Sequence, residues 1–304
     1  MQHYLENLWK RTVKKENGLS STWNQEIENL YRYNISLENA LQFLHFEKPD
    51  LETFLHWTIQ QTSKFNNTTN DLQAENTLTD TDMQFWNKNG YIVIKNAITK
   101  KDCIETQKAI WDFLEMNPNQ SDSWYQQHPQ QSGMMVNFSD HPALHKNRES
   151  AKIKKAYEQL YQTTKLFKTI DKVSFNPPVN DHYTFKGSGL HWDVSLHQPI
   201  PFGLQGLLYL SDCEAHEGAF HCVPGFHHHI EEWLNQLSPT LPPREEALRK
   251  LTNKAIPITG EAGDFIIWHQ ALPHCATTNH GLTPRMVQYL TYFPENYKAN
   301  EIWL

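Results

Sequence analysis

A histidine and an aspartate separated by one residue, His191 and Asp193, are the residues of this sequence with the clearest chemical meaning. The segment around them predicts a strand, since Val194 and Leu196 continue it with apolar side chains on alternate positions. In a strand, residues i and i+2 point to the same face, about 7 Å apart. An imidazole and a carboxylate placed in this way can bind one metal ion together. A second histidine from a distant strand would complete a 2-His-1-carboxylate face with open positions opposite it.

Two later histidines could supply the missing ligand. His269 would continue a predicted strand, and His274 lies just beyond its end. Arg285 follows eleven residues after His274 and opens another predicted strand. A guanidinium is the natural bidentate partner of a carboxylate and stays charged at any working pH. An iron oxygenase that uses a dicarboxylic keto acid needs such a group for the distal carboxylate.

Each of these residues also has a purely structural interpretation. His191 and Asp193 could form a buried hydrogen bond, His269 could be the true ligand instead of His274, and Arg285 could make a salt bridge. The run from His227 to His229 could suggest a metal-binding tract, but a turn after Val223-Pro224-Gly225 is the simpler interpretation.

Composition describes an ordinary globular chain. Of 304 residues, 38% are hydrophobic and 20% are charged, and the net charge of −7 gives no basic patch for nucleic acid. The four cysteines show no Cys-x-x-Cys pair, which predicts free thiols in a reducing compartment. The N-terminus lacks the form of a signal peptide, and no apolar run approaches the roughly 20 residues of a membrane span. We therefore expect a cytoplasmic protein without nucleic-acid or membrane partners.

The first part of the chain predicts a helical unit over residues 1–62. Asp50 caps a run with helical apolar spacing, formed by Leu51, Phe54, Leu55 and Ile59. Residues 63–80 are polar and predict a linker. We therefore divide the chain into an N-terminal helical extension, residues 1–66, and a main domain, residues 67–304. A small bundle packed on the main domain is the favoured interpretation of the extension, with partner binding or substrate gating as the alternative.

The main domain begins with a short helix stopped by Gly90, a strand at Tyr91–Ile94 and a helix opened by Thr99 and Asp102. A long polar loop over residues 117–133 carries Trp124 and Tyr125. Such a loop is often a lid, and we hypothesise that it covers the substrate. A surface loop anchored by its own aromatic side chains is the alternative.

From about residue 170 onward, short β-rich runs are separated by Gly, Pro, Asn and Asp. The predicted strands are Val173–Phe175, Tyr183–Phe185, Leu190–Leu196, Leu204–Leu210, Ala219–Val223, Asp264–Trp268 and Met286–Phe293. A helical insertion over about Ile230–Leu251 interrupts the series. This pattern predicts a mainly β fold with helices (α+β), in which a jelly roll or cupin-like core is a leading option.

The order of these motifs resembles the phytanoyl-CoA dioxygenase family. The matching elements are His-x-Asp at 191–193, Val-Pro-Gly-x-His at 223–227, Gly-Asp at 263–264, His274 and Arg285. The resemblance covers roughly residues 80–295. It implies a double-stranded β-helix that uses Fe(II), 2-oxoglutarate and O2, with His191, Asp193 and His274 as iron ligands and Arg285 binding 2-oxoglutarate.

The sequence departs from the family at the second contact to 2-oxoglutarate. Family members often have a small hydroxyl residue two positions after the distal histidine, where this chain has Ala276 followed by Thr277. Thr277 or Gln205 could take over that contact. The residue between the first two ligands, Trp192, should face away from the metal and serve packing.

The resemblance implies oxidation of a small-molecule substrate with release of succinate and CO2. Asp193 favours hydroxylation, because a halogenase of this class would have a small residue there. A cupin-like metal-binding or sensor protein is the alternative, and Arg285 argues against it. Zinc-dependent hydrolysis is disfavoured, because nothing supplies a clear general base beside the ligands.

Overall fold

Antiparallel strands form the centre of the molecule in the computed structural model, which describes residues 2–16, 22–63, 76–238, 240–300 and 302–304. Their bounds are β1 (Tyr91–Ile94), β2 (Gln131–Ser132), β3 (Met135–Val136), β4 (Leu166–Lys168), β5 (Val173–Asn176), β6 (Leu204–Tyr209), β7 (Phe220–Cys222), β8 (Ile256–Ile258), β9 (Phe265–His269), β10 (His274–Ala276), β11 (Arg285–Tyr289) and β12 (Tyr292–Pro294). Within the described residues, the larger sheet has the order β1-β9-β6-β11-β5-β3-β2 and a smaller one the order β10-β7-β8. β12 pairs with β4.

Helices surround these sheets. Their bounds are α1 (Gln2–Val13), α2 (Trp23–Arg32), α3 (Leu37–Phe46), α4 (Leu51–Ser63), α5 (Asp80–Asn89), α6 (Lys100–Leu114), α7 (Pro142–Arg148), α8 (Ala151–Tyr161), α9 (Ile230–Gln236) and α10 (Pro243–Leu251). The start predicted for α6 and the end predicted for α5 are present in the structure. Thr99 accepts a hydrogen bond from the amide of Asp102, and Gly90 ends α5 with a left-handed φ of 74°. Among the described residues, none of the helices is both long and apolar enough to cross a membrane.

The central strands are buried on both faces, which explains their continuous apolar sequences. In β9, Phe265 and Ile267 pack against the helices, whereas Ile266 and Trp268 enter a second core that includes residues of the smaller sheet. This second core lies between the sheets and lines the region where the predicted site residues meet. Strands buried in this way lose the apolar–polar alternation of a half-exposed strand.

The N-terminal helices have a core of their own, separate from the two cores of the sheets. It is formed by Leu5, Leu8, Leu30, Ile35, Ala40, Leu44 and Phe54. Polar contacts join this bundle to the main domain, including Glu38 to Lys172 at 2.9 Å and Gln42 to Gln130 at 2.9 Å. Most of the predicted linker, including residue 66, lies outside the described residues, so the division into two domains stays a prediction.

Three strand predictions were wrong in detail. Residues 190–196 do not form a strand, because His191 alone makes a β-bridge, to His274, before the chain bends. Tyr183–Phe185 is likewise reduced to a bridge between Tyr183 and Asn180. The run 286–293 divides into β11 and β12, which lie in different sheets.

The polar loop at 117–133 contains a 3-10 turn over Ser121–Tyr125. Trp124 is buried, and its indole nitrogen donates to the carbonyl of Asn117 at 3.0 Å. The ring of Tyr125 lies 5.5 Å from that of Tyr183, tilted by 51°, and its hydroxyl donates to the carbonyl of Pro178 at 3.0 Å. Trp124 therefore anchors the loop to the core, and Tyr125 is the aromatic side chain that contacts the segment leading to His191.

Candidate metal centre

Three side chains meet at one edge of the space between the sheets. His191, Asp193 and His274 each offer a ligand atom, and these atoms all lie within 4.8 Å of one another. Asp193 Oδ2 is 3.1 Å from His274 Nε2, and Asp193 Oδ1 is 3.6 Å from His191 Nε2. One histidine and one carboxylate come from a loop, and the other histidine comes from β10. Such a set could hold a metal ion on one face.

Backbone hydrogen bonds fix the spacing of the two histidines. The amide of His191 donates to the carbonyl of His274 and the reverse bond is also formed, both at 2.9 Å. Gly187, which precedes His191 in the same loop, approaches β10 so closely that a Cβ would lie 2.3 Å from the carbonyl oxygen of Ala276. Because Gly187 also has φ of 84°, only glycine fits this approach without strain. The loop therefore lies against β10 as if it were an additional short strand.

The imidazoles are oriented by carbonyl groups. His191 Nδ1 lies 2.7 Å from the carbonyl oxygen of Gly189, and His274 Nδ1 lies 3.1 Å from that of Leu272. A neutral imidazole that donates through Nδ1 carries its lone pair on Nε2. In both residues it is Nε2 that faces Asp193, which is the arrangement required of a metal ligand.

The protonation states also suit metal binding. Burial lowers the pKa of His191, so its ring is neutral at physiological pH. Burial would raise the pKa of Asp193, but its contacts with the His274 and His191 imidazoles and the hydrogen bond from the Gln205 amide hold it below its usual range. The site thus combines a neutral imidazole with an ionised carboxylate, so that little protonation energy opposes binding of a divalent cation.

His269, the alternative ligand, lies in different surroundings. Its Nδ1 accepts from the amide of Ala271 at 3.0 Å, and its ring packs 5.2 Å from Phe202 and 5.1 Å from His227. The turn predicted before His227 is present, with Gly225 at φ of 77°. Neither His269 nor His227 is part of the three-ligand cluster.

A loss of stability in acid should follow from these two histidines. Burial is the main cause that lowers the pKa of His227 to about 4 and that of His269 to about 3, below the unfolded value of about 6.5. The unfolded chain therefore binds more protons between these values, so stability is complete above about pH 6.5 and falls as the pH drops toward 4. We expect about 1–3 kcal/mol per histidine, measured as the free energy of unfolding in urea from pH 7 to pH 4.5.

Replacement of either histidine should reduce the loss of unfolding free energy between pH 7 and pH 4.5. His269→Gln and His227→Gln are the test variants, and His56→Gln, at an exposed position of α4, is the control. An unchanged slope in both test variants would contradict this account.

Trp192 faces away from the cluster, as expected. Its indole nitrogen donates to the carbonyl of Ala271 at 2.9 Å, and its ring packs against Phe226 and Trp233. The backbone of the same segment is held by Arg244 of α10, which donates to the carbonyls of Trp192 at 2.7 Å and Val194 at 2.9 Å. The carbonyls on either side of Asp193 are therefore bound by one guanidinium, a contact that sequence reasoning did not find.

Arg244→Gln should consequently weaken metal binding without unfolding the protein. A neutral amide cannot bind both carbonyls in the fork geometry of a guanidinium, so the Asp193 loop should gain freedom. We expect the Kd for Mn(II) to rise about 10-fold, at the lower end of the effect of groups that orient ligands. Arg249→Gln on the same helix is the control, since Arg249 contacts only Glu246 in the described residues. Equal Kd values for the two variants would contradict this role.

Arg285 lies at the start of β11 and faces the same interior. It is 2% exposed, and its Nε and Nη1 have no hydrogen-bond partner among the described residues. Its Cζ lies 5.5 Å from the centroid of the Tyr209 ring. A buried charge without an anionic partner is costly, so this guanidinium calls for an anion.

Further polar atoms that lack hydrogen-bond partners among the described residues lie just after β10 and on β5, which pairs with the strand of Arg285. Asn176, its cross-strand neighbour on β5, has an unpartnered Oδ1, and Ser174 of the same strand has an unpartnered Oγ. Thr277 Oγ1 is also buried and unpartnered, and the Thr277 carbonyl accepts from Asn176 Nδ2 at 3.4 Å. The guanidinium of Arg285 and the hydroxyl groups of Ser174 and Thr277 can all donate to a carboxylate, so this set of residues suits a small dicarboxylate.

Gln205 is engaged elsewhere. Its Nε2 donates to Asp193 Oδ2 at 2.9 Å, and its Oε1 accepts from Trp268 Nε1 at 3.1 Å. Of these two predicted residues, Thr277 has a side-chain oxygen without a partner in the part of the chain that the structure describes, whereas both ends of the Gln205 amide already have one. Asn176 and Ser174 were not predicted, because only strand pairing brings them beside Arg285.

An antiparallel double sheet that carries two histidines, one carboxylate and a buried arginine fits the class of iron- and 2-oxoglutarate-dependent oxygenases. Comparison with known proteins agrees: residues 86–287 match the family described as phytanoyl-CoA dioxygenase, and the chain belongs to this family. Its cofactors are accordingly Fe(II) and 2-oxoglutarate, with O2 as the oxidant. The predicted fold class is confirmed.

Individual relatives are distant. A Dictyostelium discoideum protein that is provisionally named a phytanoyl-CoA dioxygenase is 24% identical over 69% of this chain and 74% of its own. The α-ketoglutarate-dependent carbocyclase SnoK of nogalamycin biosynthesis matches with a TM-score of 0.54 at 16% identity, over 71% of this chain and 84% of its own. HygX of Streptomyces hygroscopicus, solved with nickel and 2-oxoglutarate, matches with a TM-score of 0.52 at 14% identity, over 73% and 90%.

Proposed function

We propose that the protein hydroxylates an unactivated C–H bond of a small-molecule substrate. The observation that supports this most directly is the ligand cluster of His191, Asp193 and His274, within 4.8 Å, together with the buried Arg285, whose Nε and Nη1 lack hydrogen-bond partners among the described residues. In this proposal the three ligands hold Fe(II), and Arg285 binds the distal carboxylate of 2-oxoglutarate. With O2, the bound metal and 2-oxoglutarate supply the oxidising power, and succinate and CO2 are released.

The residues of the chain have separate tasks in this scheme. His191 and His274 offer Nε2 lone pairs because carbonyls hold their Nδ1 protons. Arg285 orients the co-substrate, and the hydroxyl groups of Thr277 and Ser174 can donate to the same molecule, whereas the free Oδ1 of Asn176 can only accept and suits the guanidinium. Arg285 is 2% exposed, so water weakens its interaction with an anion little.

Hydroxylation is the outcome that Asp193 favours, since the carboxylate occupies the position that a halide would need. The solved structures similar to this chain include a carbocyclase and an epimerase, so the outcome must be measured on the product. The alternative, a metal-binding or sensor protein, would bind the ion without consuming 2-oxoglutarate.

Anaerobic addition of Fe(II) and then 2-oxoglutarate tests the proposal. We expect a weak visible charge-transfer band, followed in air by slow formation of succinate even without substrate. Incorporation of one 18O atom from labelled O2 into the product of a substrate screen would establish hydroxylation. Bound iron without the band and without succinate would favour the metal-binding protein instead.

A further inference from the structure

A chain of two hydrogen bonds leads from the core to the carboxylate of the metal centre. Gln205 of β6 and Trp268 of β9 are cross-strand partners in the larger sheet. Trp268 Nε1 donates to Gln205 Oε1 at 3.1 Å, and Gln205 Nε2 donates to Asp193 Oδ2 at 2.9 Å. Both of these residues lie outside the motifs that identified the site.

The direction of this chain is fixed by chemistry. An indole nitrogen can only donate, so the oxygen of the Gln205 amide must face Trp268 and its NH2 group must face Asp193. The opposite orientation would place two donors together at Trp268 and two acceptors together at Asp193. Trp268 cannot turn away, because it is 3% exposed and its ring packs 4.5 Å from that of Phe220 and 5.2 Å from that of His274.

Asp193 needs such support because it is the most exposed member of the cluster. Its side chain is 51% exposed, against 6% for His274. A carboxylate on a loop can rotate, whereas the two histidines are held by the mutual bridge of their backbones. The hydrogen bond from Gln205 fixes one carboxylate oxygen toward His274 and leaves Asp193 Oδ1 on the side of His191.

We propose that Gln205 and Trp268 are positioning residues that hold the Asp193 carboxylate ready for the metal ion. Trp268 acts through Gln205, since it selects the amide orientation in which a donor and not an acceptor faces the carboxylate. This gives Gln205 a different task from the contact to 2-oxoglutarate that its sequence position suggested. The inference rests on the proposed metal site and extends it to residues in the sheet behind the ligands.

The test is a double-mutant cycle on the Kd for Mn(II), with free Mn(II) followed by electron paramagnetic resonance. Gln205→Leu removes the hydrogen bond and keeps the size of the side chain; it should raise the Kd about 10- to 100-fold. Trp268→Phe should raise it by a smaller factor. Added to Gln205→Leu, Trp268→Phe should cause no further loss, because its effect passes through the missing amide.

Trp124→Phe is the matched control. It removes an indole hydrogen bond to a carbonyl in the other core and should leave the Kd for Mn(II) unchanged. Gln205→Met is a second variant that removes the same hydrogen bond with an unbranched side chain. Circular dichroism of all variants establishes that they are folded.

The outcomes separate this inference from the proposed function. If the wild-type protein binds no Mn(II), both are overturned. If it binds Mn(II) and folded Gln205→Leu and Gln205→Met bind equally well, the positioning role is wrong and the metal site stands. If Trp268→Phe raises the Kd for Mn(II) by the same factor in the wild type and in Gln205→Leu, Trp268 acts by packing, and its proposed role through the Gln205 amide is overturned.

Discussion

His274→Ala is expected to abolish tight metal binding and to reduce 2-oxoglutarate turnover to background. His274 is buried, and its Nε2 lies 3.1 Å from Asp193 Oδ2, so its loss removes one ligand and one partner of another. Loss of a ligand should exceed the about 10- to 100-fold effect of groups that only orient ligands. The measurement is the Kd for Mn(II) together with succinate formation at saturating 2-oxoglutarate.

His221→Ala is the matched control for this variant. His221 lies on β7 opposite Cys275, one position along from the residue that pairs with His274, and it is outside the ligand cluster. We expect its Kd for Mn(II) to match that of the wild type. Retention of tight Mn(II) binding by His274→Ala would remove this residue from the proposed ligand set and return His269 to consideration.

Arg285→Met is expected to weaken 2-oxoglutarate binding strongly while metal binding persists. The loss of one partner from a buried charge pair costs about 2–5 kcal/mol, which corresponds to a Kd at least about 30-fold higher. The Kd of Arg285→Lys for 2-oxoglutarate should lie between those of the wild type and Arg285→Met, because an ammonium keeps the charge without the bidentate geometry. The measurement is titration of the charge-transfer band with 2-oxoglutarate under anaerobic conditions.

The same variant should not destabilise the protein when 2-oxoglutarate is absent. Arg285 is a buried charge whose Nε and Nη1 lack partners in the described part of the chain, so an apolar side chain removes an unfavourable burial. We expect the Tm of Arg285→Met to equal or exceed that of the wild type without 2-oxoglutarate. At 100 times its Kd, 2-oxoglutarate should stabilise the wild type by about 2.7 kcal/mol and the variant by much less.

Arg148 provides the contrast. It is also fully buried, but its guanidinium donates to the carbonyls of Ser139 at 3.0 Å and Asp171 at 2.8 Å. Arg148→Met should therefore lower the Tm and leave the Kd for 2-oxoglutarate unchanged in the folded protein. If Arg285→Met instead lowered the Tm and left the Kd unchanged, Arg285 would be a structural residue like Arg148.

The strands of the core could be predicted because their burial leaves a plain apolar signal. β5, β6, β7 and β9 lie within one residue of the predicted bounds. The segment 190–196 shows where this signal misleads. Leu190, Trp192, Val194 and Leu196 all enter the second core, so burial alternates from residue 190 to 194 as in a strand, although a single residue of the segment has a bridge partner.

Long-range pairing accounts for what the sequence could not predict at the site. The spacing of His191 and Asp193 suggests a metal, but the contact between Gln205 and Asp193 joins residues twelve positions apart through a bend. Asn176 reaches the surroundings of Arg285 across 109 positions by the β5–β11 register. Arg244 reaches the same loop from a helical insertion whose apolar pattern gives no sign of that contact.

The reciprocal backbone bridge between His191 and His274 affects how the protein responds to loss of its metal ion. Those two peptide hydrogen bonds join protein groups alone, so the separation of the imidazoles does not depend on an ion. A chelator should therefore remove the metal ion without unfolding the protein around the site. A new ion then needs only to displace protons and water to bind again. We therefore expect the metal-free protein to stay folded and to bind Fe(II) again when the ion is supplied.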